Sequence, residues 1–410
     1  MEILINPTLV ESYLFDLAKH GAYGETGVWR TVYSPEWVSA QDQYAKWCAD
    51  AGLDVRRDAV GNIWGVLEGS GQGKSIVSGS HIDSQRPGGR YDGTLGAVAG
   101  LVAIRTLKEQ FGTPKRTLEA LSLAEEESSR FPTANFWASR AITGRVHPDE
   151  PQTKVGYERE TLGEAMRAAG LDPARIPEAA RDDIDTFIEL HIEQGPILEE
   201  AGLPVGIVTA ITGIRHYTVQ VQGRADHAGA MPMDLRHDPM PAVAEVILGV
   251  LDIAGNMGRP AVTTVGRVTV EPNFPAIVPE SVAFTIDARH PDPVARETLY
   301  AQHEALLRDV ADCRHLDIAW QISMDQPPCL SDSGILDVLQ EAATEQAVST
   351  LLMHSGAGHD SQVMSNICKV AMIFVKSKGG RSHTPAEFTS IDDAVSGIRV
   401  LAAALHKLAY

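Results

Sequence analysis

Apolar and polar positions along the chain follow two rhythms, and the place where one gives way to the other is the first structural signal. After an N-terminal helical stretch, short apolar runs at residues 75–82, 117–124 and 184–191 alternate with longer helical patterns such as 95–107. That alternation predicts α/β layers. Gly195-Pro196 punctuates the third run. From about residue 210 the pattern changes. Residues 215–222 (RHYTVQVQ) alternate like a strand with one wet face, and a helix is expected near 241–254. Strands at 261–270 and 281–288, a helix at 293–311 and a strand at 316–323 follow. This β-α-β-β-α-β order is that of a ferredoxin-like unit, whose strands pair locally, so an insertion is expected. Residues 325–329 (DQPPC) then mark a return linker, and a helix, a strand at 369–375 and a C-terminal helix at 391–408 resume the first rhythm. The expected fold class is α/β, with a discontinuous mixed-sheet domain at 1–209 and 326–410 and an inserted ferredoxin-like α+β domain at 210–325.

Composition narrows the function classes. The chain has 410 residues, of which 44% are hydrophobic, enough for two or more domains with their own cores. Its 54 acidic and 35 basic side chains give a net charge of −19, which argues against a nucleic-acid partner. The longest apolar run, 96–104 (GAVAGLVAI), is about half of the roughly 18 to 20 residues a membrane span needs, so no membrane partner is expected. The N-terminus shows no secretory pattern, and a cytoplasmic location is expected. Cys48, Cys313, Cys329 and Cys368 form no C-x-x-C pair; they are expected as buried small hydrophobes rather than disulfides or zinc ligands. Residues 69–73 (GSGQG) read as a turn, since Glu68 stands where a phosphate loop needs its first glycine. A serine hydrolase is disfavoured because the chain has no Gly-x-Ser-x-Gly elbow.

Three polar groups fall at the ends of expected strands: His81 with Asp83 and Asp92, the triplet Glu125-Glu126-Glu127, and His191 with Glu193. Ligands of open α/β sheets bind outside the carboxyl ends of strands, so these groups can converge on one crevice. Imidazole and carboxylate donors without cysteine suit a hydrolytic divalent-metal site. Each alone has a plainer reading: a core histidine for His81, a solvated helix start for the acids, a loop histidine for His383. Their company weighs against those readings. Gly88 and Gly89 permit a tight loop that returns Asp92 towards His81, and three carboxylates ending a buried strand are costly without cations opposite.

The motifs GSHIDS (79–84), GGRYDG (88–93), Glu126-Glu127 through Arg130-Phe131-Pro132, ELHIEQG (189–195), HAG (227–229), DARH (287–290) and SGAGHD (355–360) together resemble the hydantoinase/carbamoylase family of amidases. The resemblance spans essentially the whole chain. That family lies within a clan of dinuclear-metal aminoacylases and carboxypeptidases. The resemblance implies two divalent ions (zinc, or manganese, cobalt or nickel), one held by His81, Asp92 and His191 and the other by Asp92, Glu127 and His383. It makes Glu126 the base, although Ser128 replaces a glycine usual after the acid pair and leaves Glu125 an alternative. Asp83 would orient His81.

The same resemblance gives the inserted domain the role of dimerising and lending substrate-binding groups. His227 would stabilise the oxyanion, and Asn273 and Arg289 would hold a substrate carboxylate, for which guanidinium is suited. Gln194, Arg215, Gly358 and His359 complete the expected substrate-binding set. The implied reaction is hydrolysis of the carbamoyl (ureido) C–N bond of a small carboxylate such as allantoate or an N-carbamoyl-L-amino acid. Aminoacylase or dipeptidase chemistry on the same centre is the alternative, and a metal-free scaffold homologue is disfavoured by the complete ligand set.

Overall fold

The computed structural model describes residues 2–410, which divide into two compact units. The first comprises residues up to Thr209, Ser331–Met353 and Ala357–Tyr410; the second comprises Ala210–Leu330 and His354–Gly356. In chain order the first unit opens with helices α1 (Pro7–Lys19) and α2 (Pro35–Asp50), each begun by a side chain, Asn6 or Ser34, that accepts the first free backbone N–H groups. The antiparallel pair β1 (Asp54–Arg57) and β2 (Ile63–Leu67) follows, then β3 (Ser75–His81), α3 (Thr94–Phe111), β4 (Leu118–Leu123), the short α4 (Trp137–Ile142) and β5 (Ile184–Ile192). Strand β6 (Val205–Ile211) leads out of this unit.

The second unit contains β7 (Gly213–Gln222), α5 (Pro239–Met257), β8 (Val262–Thr264), β9 (Val268–Glu271), β10 (Ser281–His290), α6 (Pro293–Arg314) and β11 (Asp317–Gln326). The chain returns through α7 (Ser333–Glu345), β12 (Thr350–Ser355), α8 (Asp360–Met364), β13 (Lys369–Val375) and α9 (Ile391–Ala409).

In the first unit β13, β5, β3 and β4 run parallel side by side, and antiparallel neighbours extend both edges: β6 beside β13, and β2 then β1 beyond β4. The mixed α/β sheet expected from the sequence is thus present. Its central strands are buried along almost their whole length, as their near-continuous apolar runs require. Helix α3 lies directly on β3 and β5. A Cβ at Gly96 would stand 2.1 Å from the Leu190 carbonyl oxygen, so this helix reaches the sheet only because it carries small residues there. All of its side chains from Thr94 to Ile104 are buried, which accounts for a helix that is apolar all round. It is a core helix rather than a membrane span.

The sheet of the second unit has the order β8-β10-β7-β11, all antiparallel, with β9 also on β10. The single strand expected at 261–270 is interrupted, because residues 265–267 leave the ladder between β8 and β9. One face packs against α5 and α6 around Tyr217, Val219, Phe284, Ile286, Val246 and Leu299. Strand β10 alternates buried and half-buried residues along its length, which is period two made visible. Helix α5 is the one described helix long and apolar enough to cross a membrane, yet Ala242, Val243, Val246 and Val250 bury one face in this core. The cysteine expectation needs correction: Cys48 is buried, but Cys313 is exposed on α6 and Cys329 and Cys368 are half-buried.

Candidate metal centre

Within the first unit, the loops after β3, β4 and β5 and the segment before α9 bring the chemistry-bearing motifs together. His81 ends β3, His191 lies one residue from the end of β5, and Asp92 stands two residues before α3. The Asp92 carboxylate faces two ways. Its Oδ1 lies 3.2 Å from His191 Nε2 and 3.7 Å from His81 Nε2, while its Oδ2 lies 3.4 Å from His383 Nε2. His383 Nε2 is in turn 3.5 Å from Glu127 Oε2. The donors therefore make two groups, His81 with Asp92 and His191, and Asp92 with Glu127 and His383, each with its ligand atoms within 4.8 Å of one another. One carboxylate belongs to both.

Each donor is held from behind. Asp83 Oδ1 is 3.3 Å from His81 Nδ1, and the same carboxylate accepts the N–H groups of Glu126 (3.0 Å) and Glu127 (3.4 Å). One side chain thus sets the ring and the acidic loop together. His191 turns Nδ1 to the Ile192 carbonyl at 2.9 Å, which leaves Nε2 for the cluster. Gln85 donates to Glu127 Oε2 (2.6 Å), and Gln194 and Ser382 donate to Asp92 Oδ2 (3.0 and 2.5 Å). Glu387 Oε1 accepts the N–H groups of Tyr91 (2.8 Å) and Asp92 (2.9 Å), tying the segment of His383 to the loop of Asp92. Beneath them the buried Arg30 donates to the carbonyls of Ile82 and Leu17 (2.7 Å each) and to Thr94 Oγ1 (2.9 Å). It clamps the end of β3 to the start of α3.

Glu125 and Glu126 occupy different surroundings. Glu125 is wholly buried and its Oε2 accepts the Trp137 N–H at 3.2 Å, so it is committed to the start of α4. Among charged neighbours, His81 and Glu127 act most strongly on Glu126. Burial pushes the carboxyls of Glu125, Glu126 and Glu127 well above the ordinary value, and repulsion from neighbouring acids adds to it. Burial opposes charge on His81 and His191, but the hydrogen bonds with Asp83 and Asp92 together with the attraction of the surrounding carboxylates outweigh it and raise both. Asp92 moves the other way: burial resists its charge, yet His191 and His81 hold its carboxyl far below the usual range. Burial and then Asp92 push Glu387 up to about 8. So many buried acids, with imidazoles and no thiol among the donors, fit divalent cations, which supply the missing positive charge.

A third group of possible donors, Glu189, His191 and His359, lies within the same unit. Glu189 accepts from Ser80 Oγ (2.7 Å) and from the Ser361 N–H and Oγ (3.1 and 2.7 Å), so its lone pairs brace β3, β5 and α8. His359 is buried with its ring centroid 4.7 Å from that of His191, and burial pushes it well below the ordinary histidine value. A Cβ on Gly358 would meet the Phe136 ring at 3.0 Å. Of these two residues, expected to touch substrate, His359 packs beside His191 and Gly358 packs against Phe136.

The expected groups of the second unit are placed as follows. His227 is exposed, and its Nδ1 accepts from the N–H groups of Gly229 (3.1 Å) and Ala230 (3.2 Å). Asn273 is exposed at φ 59°. Arg289 donates through Nε and Nη2 to Asp287 (2.8 Å each) and through Nη1 to the Gly356 carbonyl (2.8 Å), so its best fork is already occupied. Arg215 is spent inside the unit: it pairs with Asp325 at 2.5 Å and lies over the Tyr300 ring, 4.1 Å from its centroid. That engagement makes Arg215 a brace of the sheet. Reading the sequence missed the roles of Gln85, Arg30 and Glu387. Gln85 and Glu387 adjoin recognised motifs and carry polar tips, which was the available signal; Arg30 had none.

Residues 78–407 match the model of peptidase family M20/M25/M40. The chain is 40% identical over 402 residues to allantoate amidohydrolase of Escherichia coli K12, covering 98% of each chain. It is 36% identical over 391 residues to an N-carbamoyl-L-amino acid amidohydrolase of Geobacillus stearothermophilus, covering 95% of each. Its fold matches the crystal structure of a hydantoinase/carbamoylase family amidase from Burkholderia multivorans with a TM-score of 0.91 and 29% identity, over 99% of this chain and 98% of that one.

Proposed function

This chain belongs to peptidase family M20/M25/M40, a metal-dependent family, and from that premise we propose that it hydrolyses the carbamoyl (ureido) C–N bond of a small carboxylate-bearing substrate. Allantoate and N-carbamoyl-L-amino acids are the substrate classes, on the strength of the relatives' names. The observation that carries the reading is the two-faced Asp92 carboxylate between the two donor groups. His81, Asp92 and His191 would hold one divalent ion and Asp92, Glu127 and His383 a second, with zinc, manganese, cobalt and nickel all suited to these donors. Such ions supply Lewis acidity to a carbonyl and lower the pKa of water.

In this reading Glu126 takes the proton of the attacking water and returns it to the departing nitrogen. Asp83 keeps the His81 ring in its orientation. His227 accepts backbone N–H groups at Nδ1, so its neutral ring carries the proton on Nε2, the donor an oxyanion needs. Asn273 and Arg289 serve the substrate carboxylate, Arg289 sharing its guanidinium with Asp287. Gln194, which reaches Asp92, orients the substrate beside the ions. Expulsion of the amine leaves a carbamate, which breaks down to ammonia and carbon dioxide.

The second unit would form a homodimer: Leu248 and Val262, 65% and 51% exposed, offer apolar surface on it. A cytoplasmic setting agrees with four cysteines that no disulfide joins. The test is ammonia release from allantoate and a panel of N-carbamoyl-L-amino acids, with Mn²⁺ or Zn²⁺ and after chelation. Metal-dependent turnover of a ureido acid supports the reading. Turnover confined to N-acetyl amino acids or dipeptides, assayed alongside as free amine released, would replace it with aminoacylase chemistry.

A further inference from the structure

Within the first unit, an open cavity of about 520 Å³ is lined by Gln85, Arg86, Glu127, Ser128 and Tyr157 among others. Glu127, one of the proposed ligands, and Arg86 both line it. The guanidinium carbon of Arg86 lies 4.9 Å from the Tyr157 ring centroid and 5.4 Å from that of Trp29. Two aromatic faces therefore hold the cation without consuming its N–H groups, which lie in the guanidinium plane. Its single hydrogen bond is long, from Nη1 to the Ser129 carbonyl at 3.5 Å. Among the described residues no carboxylate pairs with it. This contrasts with Arg130, which lines a neighbouring cavity together with Arg86 and is paired with Glu160 at 2.8 Å, and with Arg289, whose Nε and Nη2 are taken by Asp287.

An arginine held open in this way, in a chain of net charge −19 and beside a loop of three acids, is the cation a second anionic group would meet. Resting on the function proposed above, we propose that Arg86 forms an anion subsite, and that the chain favours ureido acids with a second, side-chain carboxylate over their neutral isosteres. N-carbamoyl-L-glutamate and N-carbamoyl-L-glutamine are the matched pair that tests it, since they differ only in a carboxylate against an amide.

With the metal-loaded full chain, kcat/KM for the glutamate compound is expected to exceed that for the glutamine compound at least tenfold. Arg86→Gln brings the ratio to about one, chiefly through KM of the diacid, and Arg86→Lys restores part of it. An unchanged ratio in Arg86→Gln, or an equal loss on both compounds, overturns the subsite. Should neither compound be hydrolysed, allantoate turnover decides the ureido reading separately, and the subsite is read alone from calorimetric binding of the two compounds. A tenfold preference for the diacid that Arg86→Gln abolishes supports it; equal affinities refute it.

Discussion

Gly93→Ala puts the geometry of the centre to the sharpest test, because a single methyl group addresses one ligand. Gly93 precedes α3 at φ 60° and ψ −50°, a conformation for glycine that costs other residues about 1–3 kcal/mol. A Cβ there would stand 2.3 Å from both Cε1 and Nε2 of His81 and 2.4 Å from its Nδ1. Ordinary contact needs about an ångström more. His81 has no slack to give it, since the ring is 2% exposed and Nδ1 is held by Asp83. Overpacking of this kind costs about 1–3 kcal/mol. Together the two effects amount to roughly 2–6 kcal/mol, at about 1.4 kcal/mol per tenfold, to be shared between metal affinity and stability.

The assay is metal content by mass spectrometry during chelator titration, with urea unfolding of the chelated protein beside it. The expected result is metal affinity lowered at least about thirtyfold, or a matching loss of apo stability. His81→Ala in the same background removes the clash but leaves the backbone strain, so the double variant in its apo form should be more stable than Gly93→Ala by about 1–3 kcal/mol. Parental metal affinity together with parental unfolding in Gly93→Ala would refute the placement of His81 against this turn.

Further outcomes follow from the same geometry. Glu126→Gln should retain metal while turnover falls by about 10²- to 10⁴-fold, measured as ammonia release; wild-type turnover sinks the base assignment. Asp92→Ala should empty both donor groups at once, whereas His383→Ala should cost one equivalent of metal, read by elemental analysis. Glu387→Gln weakens the acceptor of the Tyr91 and Asp92 N–H groups, so faster loss of metal to chelator is expected with secondary structure unchanged by circular dichroism. On acidification His303 should contribute to instability: burial pushes its imidazole down to about 4, so the unfolded chain, with its histidine near 6.5, binds the extra proton. Stability from this group is complete above about pH 6.5 and falls by up to about 1.4 kcal/mol per pH unit towards pH 4. Difference unfolding curves of wild type and His303→Leu at pH 7.5 and 5, both chelated, measure that slope.

Legibility in the sequence tracked the range of the interaction that decides each feature. Strand β13 and the long helices α3, α5, α6 and α9 were readable because burial imposes a local period on them. The expected strand at 261–270 failed at 265–267, where departure from the ladder leaves no periodic mark. Strands β6 and β12 were not anticipated: β6 is apolar but follows closely on the Gly195-Pro196 punctuation, and β12 is largely half-buried, so neither shows clean alternation. His81, Asp92, Glu127 and His191 were legible since each stands at or just after a strand end, where chemistry is expected. The contacts of Arg215 with Asp325 and Tyr300 were not legible, because these partners lie about a hundred residues away and no local pattern announces them.

The groups that aim the donors have a different logic from the donors themselves. A ligand must be an imidazole or a carboxylate, which limits the choice and makes it recognisable, whereas a supporting group need only supply an N–H, an O–H or an oxygen at the right place. Arg30 reaches Ile82 from 52 positions earlier, Gln85 reaches Glu127 across 42, and Glu387 reaches Asp92 across 295. These side chains are fixed by the closed fold and not by any local motif. They also determine what the donors can do, because Asp92 can serve both groups only while its loop is kept from rotating one oxygen away. The Tyr91 and Asp92 N–H groups, which donate to Glu387 Oε1, and the hydroxyl of Ser382, which donates to Asp92 Oδ2, oppose that rotation. On the proposed function, metal retention would then depend on contacts distant in sequence, and a chain carrying every recognisable motif but lacking these supports would bind metal weakly.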